Sequence, residues 1–145
     1  MKLCKYIATL GPVGYLPAPG TMGTLATLPL VYFLSSLFIF DQCLFILLFT
    51  CISYFIIKNA LQYFLVTDPS EIILDEVVGC LITFIGINFS WQSLFAGFVL
   101  FRLFDILKPF GIQRLEKIPG ACGILLDDCA AGLLANIILY FLILS

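Results

Sequence analysis

Five carboxylates stand in a chain that otherwise carries little charge. They form three groups, Asp75–Glu76, Asp105 and Asp127–Asp128. The sequence is 62% hydrophobic and 11% charged, and it contains no histidine. Placing acids among apolar residues costs free energy, so these five are candidates for a functional site. Because no histidine is present, we expect oxygen ligands and a hard divalent cation.

Two basic residues flank the middle acid. Arg102, Asp105 and Lys108 follow one another at a spacing of three, which brings them onto one face of a helix. A stripe of cation, acid and cation suits a phosphate bound beside a metal ion. The alternative is an ordinary Arg–Asp pair, with Lys108 extending towards lipid headgroups.

The two acid pairs also have alternative interpretations. Asp75 and Glu76 could be an interfacial pair favoured by a helix dipole, and Asp127 could be a helix N-cap. However, Asp127 and Asp128 are adjacent acids between two apolar runs, which is more than capping needs. A divalent ion would relieve their repulsion, so we predict both pairs to be metal ligands.

A glycine-rich stretch, P-A-P-G-T-M-G-T at residues 17–24, precedes the first apolar segment. Gly20 and Gly23 would let backbone N–H groups approach an anion, and Thr21 and Thr24 add hydroxyl groups. We predict a phosphate-binding role for these four residues. A simple turn followed by an N-cap explains the same pattern equally well.

The composition predicts a membrane protein of one domain, residues 1–145. The mean hydropathy is +1.15, and the few charged residues cannot cover a soluble surface. We expect an all-α fold with four to five membrane-embedded helices, and a structured loop rather than a signal peptide at the amino terminus. The apolar segments are residues 24–40, 43–57, 77–88, 91–104 and 129–144. The sequence carries no signal for the oligomeric state.

Alternating crossings of these segments place every basic residue on one side of the membrane. By the positive-inside rule this side is cytoplasmic, and the five carboxylates lie on it too. The seven basic residues are Lys2, Lys5, Lys58, Arg102, Lys108, Arg114 and Lys117. In addition, D-P-S-E at residues 68–71 predicts a capping box and a helix that begins near Pro69.

Missing motifs exclude several enzyme classes. Without histidine there is no histidine-nucleophile phosphatase, and no cysteine has an arginine six positions later, as a cysteine-phosphatase loop would require. The D-x-D and D-G-x-x-A-R patterns of two further phosphate-handling classes are also absent. A divalent-cation channel or transporter subunit and a structural membrane protein remain as alternatives.

Four blocks of sequence, in this order, resemble the phosphatidylglycerophosphatase A family. The blocks are P-G-T-M-G-T at 19–24, L-D-E-V-V-G at 74–79, F-R-L-F-D-I-L-K-P-F at 101–110, and G-I-L-L-D-D at 123–128 followed by A-G at 131–132. The resemblance implies a bacterial inner-membrane enzyme with its acids at the cytoplasmic face. Its expected substrate is a phospholipid, phosphatidylglycerophosphate, rather than a nucleic acid. The expected products are phosphatidylglycerol and phosphate, and the expected cofactor is Mg²⁺.

The residues and the resemblance together give one hypothesis for the site. Asp75, Glu76, Asp127 and Asp128 hold the metal, and Asp105 is a further ligand or the general base. Arg102 and Lys108 stabilise negative charge on the phosphoryl oxygens. Attack by water and attack by an aspartate both remain open.

Overall fold

The computed structural model describes residues 2–66 and 68–144, and within these residues the chain folds into seven α-helices. The helices are α1 (Lys2–Ala8), α2 (Pro19–Leu34), α3 (Ile39–Ala60), α4 (Leu74–Thr83), α5 (Trp91–Leu107), α6 (Gln113–Glu116) and α7 (Ala121–Leu144). Short 3-10 turns occupy Val13–Tyr15, Leu61–Tyr63 and Pro109–Gly111. No strand occurs in the described ranges, so the predicted all-α class is confirmed.

Helix α4 lies at the centre of the molecule, against α7. Nine of its ten residues are buried. The approach is close because both helices place a glycine at the contact: a Cβ on Gly132 would collide with the carbonyl oxygen of Gly79. A Cβ on Gly79 would meet the carbonyl oxygen of Asp128 at 2.7 Å and the ring of Phe101. Small residues therefore bring the backbones of α4 and α7 into contact.

Two polar side chains satisfy the backbone where α4 ends. Asn136 of α7 donates from Nδ2 to the carbonyl oxygens of Thr83 and Ile85, both at 2.9 Å. Gln42 of α3 accepts at Oε1 from the N–H of Gly86 at 3.0 Å. The last carbonyls of a helix have no partner within the helix, and Asn136 supplies a donor for the carbonyl of Thr83 inside the protein. Gln42 supplies an acceptor for a backbone N–H just beyond the helix. A helix of only ten residues can therefore end in the interior.

Within the part of the chain that the structure describes, two helices are long and apolar enough to cross a membrane, Ile39–Tyr63 and Ala121–Ile143. Large apolar side chains such as Leu47, Ile52 and Phe55 are exposed on the first of these. Helices α2 and α5 have 16 and 17 residues and α4 has ten, fewer than the roughly 20 that span a bilayer alone. The expected four to five crossings are not confirmed.

Several predicted boundaries are wrong. The amino terminus begins with a helix, α1, where we expected a loop. Helix α4 begins at Leu74 and not near Pro69, because the preceding segment packs on α1, where the N–H of Ile73 bonds to the carbonyl of Ala8 at 3.0 Å. Helix α7 begins at Ala121, so Asp127 lies inside the helix and is not its N-cap.

Candidate active site

Four helices bring their ends to one pocket of about 270 Å³. Helix α2 contributes its first residues, α4 its first turn, α5 its last turns and α7 its second turn. The segment before α4 completes the wall. The lining residues are Ala18, Pro19, Gly20, Asp68, Pro69, Ser70, Ile72, Asp75, Glu76, Arg102, Asp105, Lys108, Ile124, Asp127 and Asp128. All five carboxylates singled out in the sequence are among them.

Three carboxylates form a cluster that fits a metal ion. One oxygen from each of Asp75, Glu76 and Asp128 lies within 4.8 Å of the other two. Asp75 and Asp128 are buried, with 8% and 3% of their surface exposed. Asp75 Oδ1 and Glu76 Oε2 are buried with no hydrogen-bond partner. Buried carboxylate oxygens without donors are the ligand set that a hard divalent cation prefers.

Two cations lie beside this cluster, each paired with an acid. Arg102 Nη1 is 2.6 Å from Asp105 Oδ2 and 4.0 Å from Glu76 Oε1. Lys108 Nζ donates to Asp127 Oδ2 at 2.6 Å. The other oxygen of Asp127, Oδ1, accepts from the backbone N–H of Asp128 at 3.1 Å. Both oxygens of Asp127 are therefore engaged, and Asp127 stands outside the cluster of three.

Helix α2 reaches the pocket through a glycine. A Cβ on Gly20 would collide with Glu76 Oε1 and would lie 2.9 Å from the Arg102 guanidinium. Any larger residue there would force the Glu76 and Arg102 side chains to move. The absence of a side chain at Gly20 thus keeps one wall of the pocket open.

Burial makes the charged form of these acids costly. It raises the pKa of Asp75 well above its usual range, and the neighbouring Glu76 carboxylate raises it further. Burial also raises the pKa of Glu76 to about 7, although a hydrogen bond from Asp75 and the charge of Arg102 act in the opposite direction. Positive charge in the pocket would restore the ionised forms.

The other predicted residues divide between the pocket and its surroundings. Arg102, Asp105, Lys108 and Gly20 line the pocket, whereas Thr21, Gly23 and Thr24 do not. The hydroxyl of Thr24 is buried and donates to the carbonyl oxygen of Gly20 at 2.8 Å. Gly23 faces Ile73, which a Cβ would approach to 3.0 Å. Thr24 thus holds the backbone of Gly20 in place behind the pocket.

The pocket contains one further acid, Asp68. The D-P-S-E pattern predicts Asp68 to be a helix cap, whereas the structure places it in the pocket wall with Pro69 and Ser70. Its signal was visible in the sequence, because Asp68 lies only seven residues before Asp75 in a chain with few acids. However, the capping-box pattern D-P-S-E gives Asp68 a structural role, so the sequence alone does not mark it as a site residue.

The amino-acid sequence matches a known protein family. The sequence model of the phosphatidylglycerophosphatase A family matches residues 6–143, which is most of the chain. The chain belongs to the phosphatidylglycerophosphatase A family. The family resemblance expected from the four sequence blocks is therefore confirmed, and so is the expectation that the chain is an enzyme of the phosphatase class.

Individual relatives agree with this membership. A phosphatidylglycerophosphatase A of Escherichia coli is 36% identical over 126 residues, covering 86% of this chain and 73% of the relative. A phosphatidylglycerophosphatase A of Haemophilus influenzae is 36% identical over 149 residues, covering 94% of this chain and 91% of the relative. A Bacteroides thetaiotaomicron protein, named as a candidate phosphatidylinositol-3-phosphatase, is 33% identical over 135 residues. The match covers 87% of this chain and 84% of the relative. No solved structure matches the chain.

Proposed function

We propose that this member of the phosphatidylglycerophosphatase A family hydrolyses the terminal phosphate of phosphatidylglycerophosphate, and that it depends on Mg²⁺. The observation that carries the proposal is the cluster of Asp75, Glu76 and Asp128, with two partnerless carboxylate oxygens, beside Arg102 and Lys108. The names of the Escherichia coli and Haemophilus influenzae relatives supply the substrate. The reaction would serve phospholipid biosynthesis.

The charge balance of the pocket explains why a cation is needed. A phosphomonoester is an anion, and buried carboxylates alone would repel it. Mg²⁺ held by Asp75, Glu76 and Asp128 would neutralise these carboxylates and polarise a phosphoryl oxygen. The pocket carries further positive charge on Arg102 and Lys108, so a phosphate group entering it meets cations as well as acids.

Each side chain has a proposed part in the reaction. Arg102 and Lys108 stabilise negative charge on the phosphoryl oxygens, and their pairing with Asp105 and Asp127 fixes their positions. Asp105 is the general base for an attacking water or an additional ligand. Asp127 orients Lys108 and supports the cluster through the Asp128 backbone. Gly20 leaves space for the phosphate, with Thr21, Gly23 and Thr24 shaping the backbone that carries it.

We propose that the protein is embedded in the bacterial inner membrane with this pocket at the cytoplasmic face. The seven basic residues support this orientation through the positive-inside rule. A lipid phosphatase must also meet its headgroup at the membrane surface. The relatives come from bacteria, and two helices have the length and composition of membrane spans.

Phosphate release from phosphatidylglycerophosphate by the purified protein in detergent tests the proposal. We expect release with Mg²⁺, none with EDTA, and a loss of about 100-fold or more for Asp128→Asn, because even residues that support a metal ligand are worth about 10- to 100-fold. The control is Asp41→Asn, at an exposed acid in the first turn of α3, which should retain full activity.

The outcomes separate the competing functions. Activity that persists in EDTA would remove the metal from the proposal. A protein that releases no phosphate from any lipid would favour the cation-channel or structural alternatives. A parallel assay with phosphatidylinositol-3-phosphate tests the headgroup suggested by the Bacteroides relative. A preference for that lipid would change the assigned substrate.

A further inference from the structure

An apolar groove of about 650 Å³ lies between α2 and α5, away from the acid pocket. Residues of α2 and the amino-terminal end of α5 line it, including Leu25, Leu28, Tyr32, Phe89, Trp91 and Leu94. The far end is aromatic: Tyr32 packs edge-on against Phe89, with ring centroids 4.8 Å apart, and Phe89 packs against Trp91 at 5.8 Å. We call this feature the α2–α5 groove.

The same two helices connect the groove to the acid pocket. On α5, Leu94 in the groove and Arg102 in the pocket are eight residues apart. On α2, Leu28 in the groove and Gly20 in the pocket are also eight residues apart, with Thr24 midway. The groove and the pocket therefore lie on the same pair of helices, about 12 Å apart along each axis.

The distances match the depth of one lipid leaflet. At about 1.5 Å per helical residue, Leu25 lies roughly 8 Å and Tyr32 roughly 18 Å along α2 from Gly20. The hydrocarbon core of a bilayer is about 30 Å thick, so one leaflet is about 15 Å. A lipid with its phosphate in the pocket would extend its acyl chains through this range of depth.

We propose that the α2–α5 groove binds an acyl chain of the lipid substrate and so positions the headgroup in the acid pocket. The volume is in the range of about 300–1,000 Å³ that small-molecule sites occupy, and the lining side chains are apolar or aromatic. The chain is held along its length, so a substrate with truncated chains binds only through its headgroup. This inference rests on the proposed lipid phosphatase function.

Filling the groove tests the inference. In Leu28→Trp the larger side chain occupies the middle of the groove; the matched control, Leu48→Trp, adds the same side chain to the exposed surface of α3. Phosphate release is measured in mixed micelles with long-chain and dihexanoyl phosphatidylglycerophosphate. We expect Leu28→Trp to lower kcat/KM about tenfold for the long-chain lipid. The dihexanoyl lipid and the control variant should change less than about twofold.

The results distinguish failure of the inference from failure of the proposed function. Equal effects of Leu28→Trp on both lipids, or no effect on either, overturn the groove as a chain-binding site while the phosphatase function stands. A wild-type protein that hydrolyses neither lipid rejects the function on which the inference rests.

The wild-type chain also contains its own reporter, because Trp91 lines the groove and is the single tryptophan of the sequence. A non-hydrolysable phosphonate analogue of phosphatidylglycerophosphate with brominated acyl chains should quench Trp91 fluorescence in the presence of Mg²⁺. Phosphatidylcholine with the same brominated chains, at the same mole fraction, controls for contact with bulk lipid. Equal quenching by the two lipids would contradict the proposed groove, whether or not the Leu28→Trp variant folds.

Discussion

Individual side chains in the acid pocket differ in how completely their charges are balanced. Asp127 has Lys108 as a partner and Asp105 has Arg102, whereas buried oxygens of Asp75 and Glu76 have no donor. The sequence identified all of these residues from their rarity in an apolar chain. It could not tell which acids would be paired, because pairing depends on how four separate helix ends meet.

We expect the cation-free protein to lose stability as pH rises from about 4.5 to about 7. Burial raises the pKa of Glu76 from 4.5 to about 7, so in this window the folded state holds a proton that the unfolded state has released. The folded form is then disfavoured as that proton is lost, and the raised pKa of Asp75 acts in the same direction. Thermal unfolding in detergent with EDTA, at several pH values between 5 and 8, measures this change.

Addition of Mg²⁺ should reverse the trend. Ligand carboxylates must be ionised to bind a metal, so the rise in Tm on adding Mg²⁺ should be larger at pH 8 than at pH 5. Glu76→Gln should flatten the decline of stability with pH in EDTA. A cation-free Tm that increases across the window would contradict the burial of these acids.

At the level of helices, the contact between α4 and α7 determines whether the acids meet. The apolar runs around Gly79 and Gly132 predicted helices, and the structure contains them. The start of α4 was misplaced because D-P-S-E is a local capping signal, whereas the bond between Ile73 and Ala8 is a long-range contact. Local patterns thus identify the helices, but tertiary contacts decide where they begin.

We expect Gly132→Ala to destabilise the protein by about 1–3 kcal/mol, the usual cost of overpacking a close contact. The added methyl group would collide with the carbonyl oxygen of Gly79 and push α4 away from α7. Activity should fall as well, because α4 carries Asp75 and Glu76 while α7 carries Asp128. Thermal unfolding and phosphate release in the same detergent measure both effects.

The neighbouring variant Leu133→Ala serves as a control, since the side chain of Leu133 is exposed. Its unfolding temperature should change little, and its activity should remain. If Gly132→Ala is as stable and active as wild type, the close approach of α4 and α7 is not needed for the site.

At the scale of the whole molecule, α1 contacts both the end of α3 and the segment that lines the acid pocket before α4. Lys5 lies over the Phe64 ring near the end of α3, and the carbonyl of Ala8 ties α1 to the segment that enters the acid pocket. Arg102 and Lys108 lie in the pocket itself. The placement of all seven basic residues on one side of the membrane stays a prediction of the positive-inside rule. The number of membrane crossings could not be obtained in the same way, because the short helix α4 ends inside the protein.

Labelling with a membrane-impermeant maleimide tests the proposed orientation. In a cysteine-free background, Asp41→Cys at the exposed start of α3 should react in intact spheroplasts. Lys117→Cys, between α6 and α7, should react only after permeabilisation, because the positive-inside rule assigns it to the cytoplasm. Both variants should react in detergent. Labelling of both in intact spheroplasts would overturn the orientation.

The contacts between α4 and α7 recur at a constant separation in sequence number. Asp75 approaches Asp128, Gly79 approaches Gly132, and the carbonyl of Thr83 meets Asn136. Each pair is separated by 53 positions, and successive pairs are one helical turn apart. The two helices therefore run parallel in a fixed register. One residue inserted between Asp75 and Gly79 would rotate the start of α4 by about 100° and remove the carboxylates from the pocket, while the glycine and asparagine contacts stayed in place.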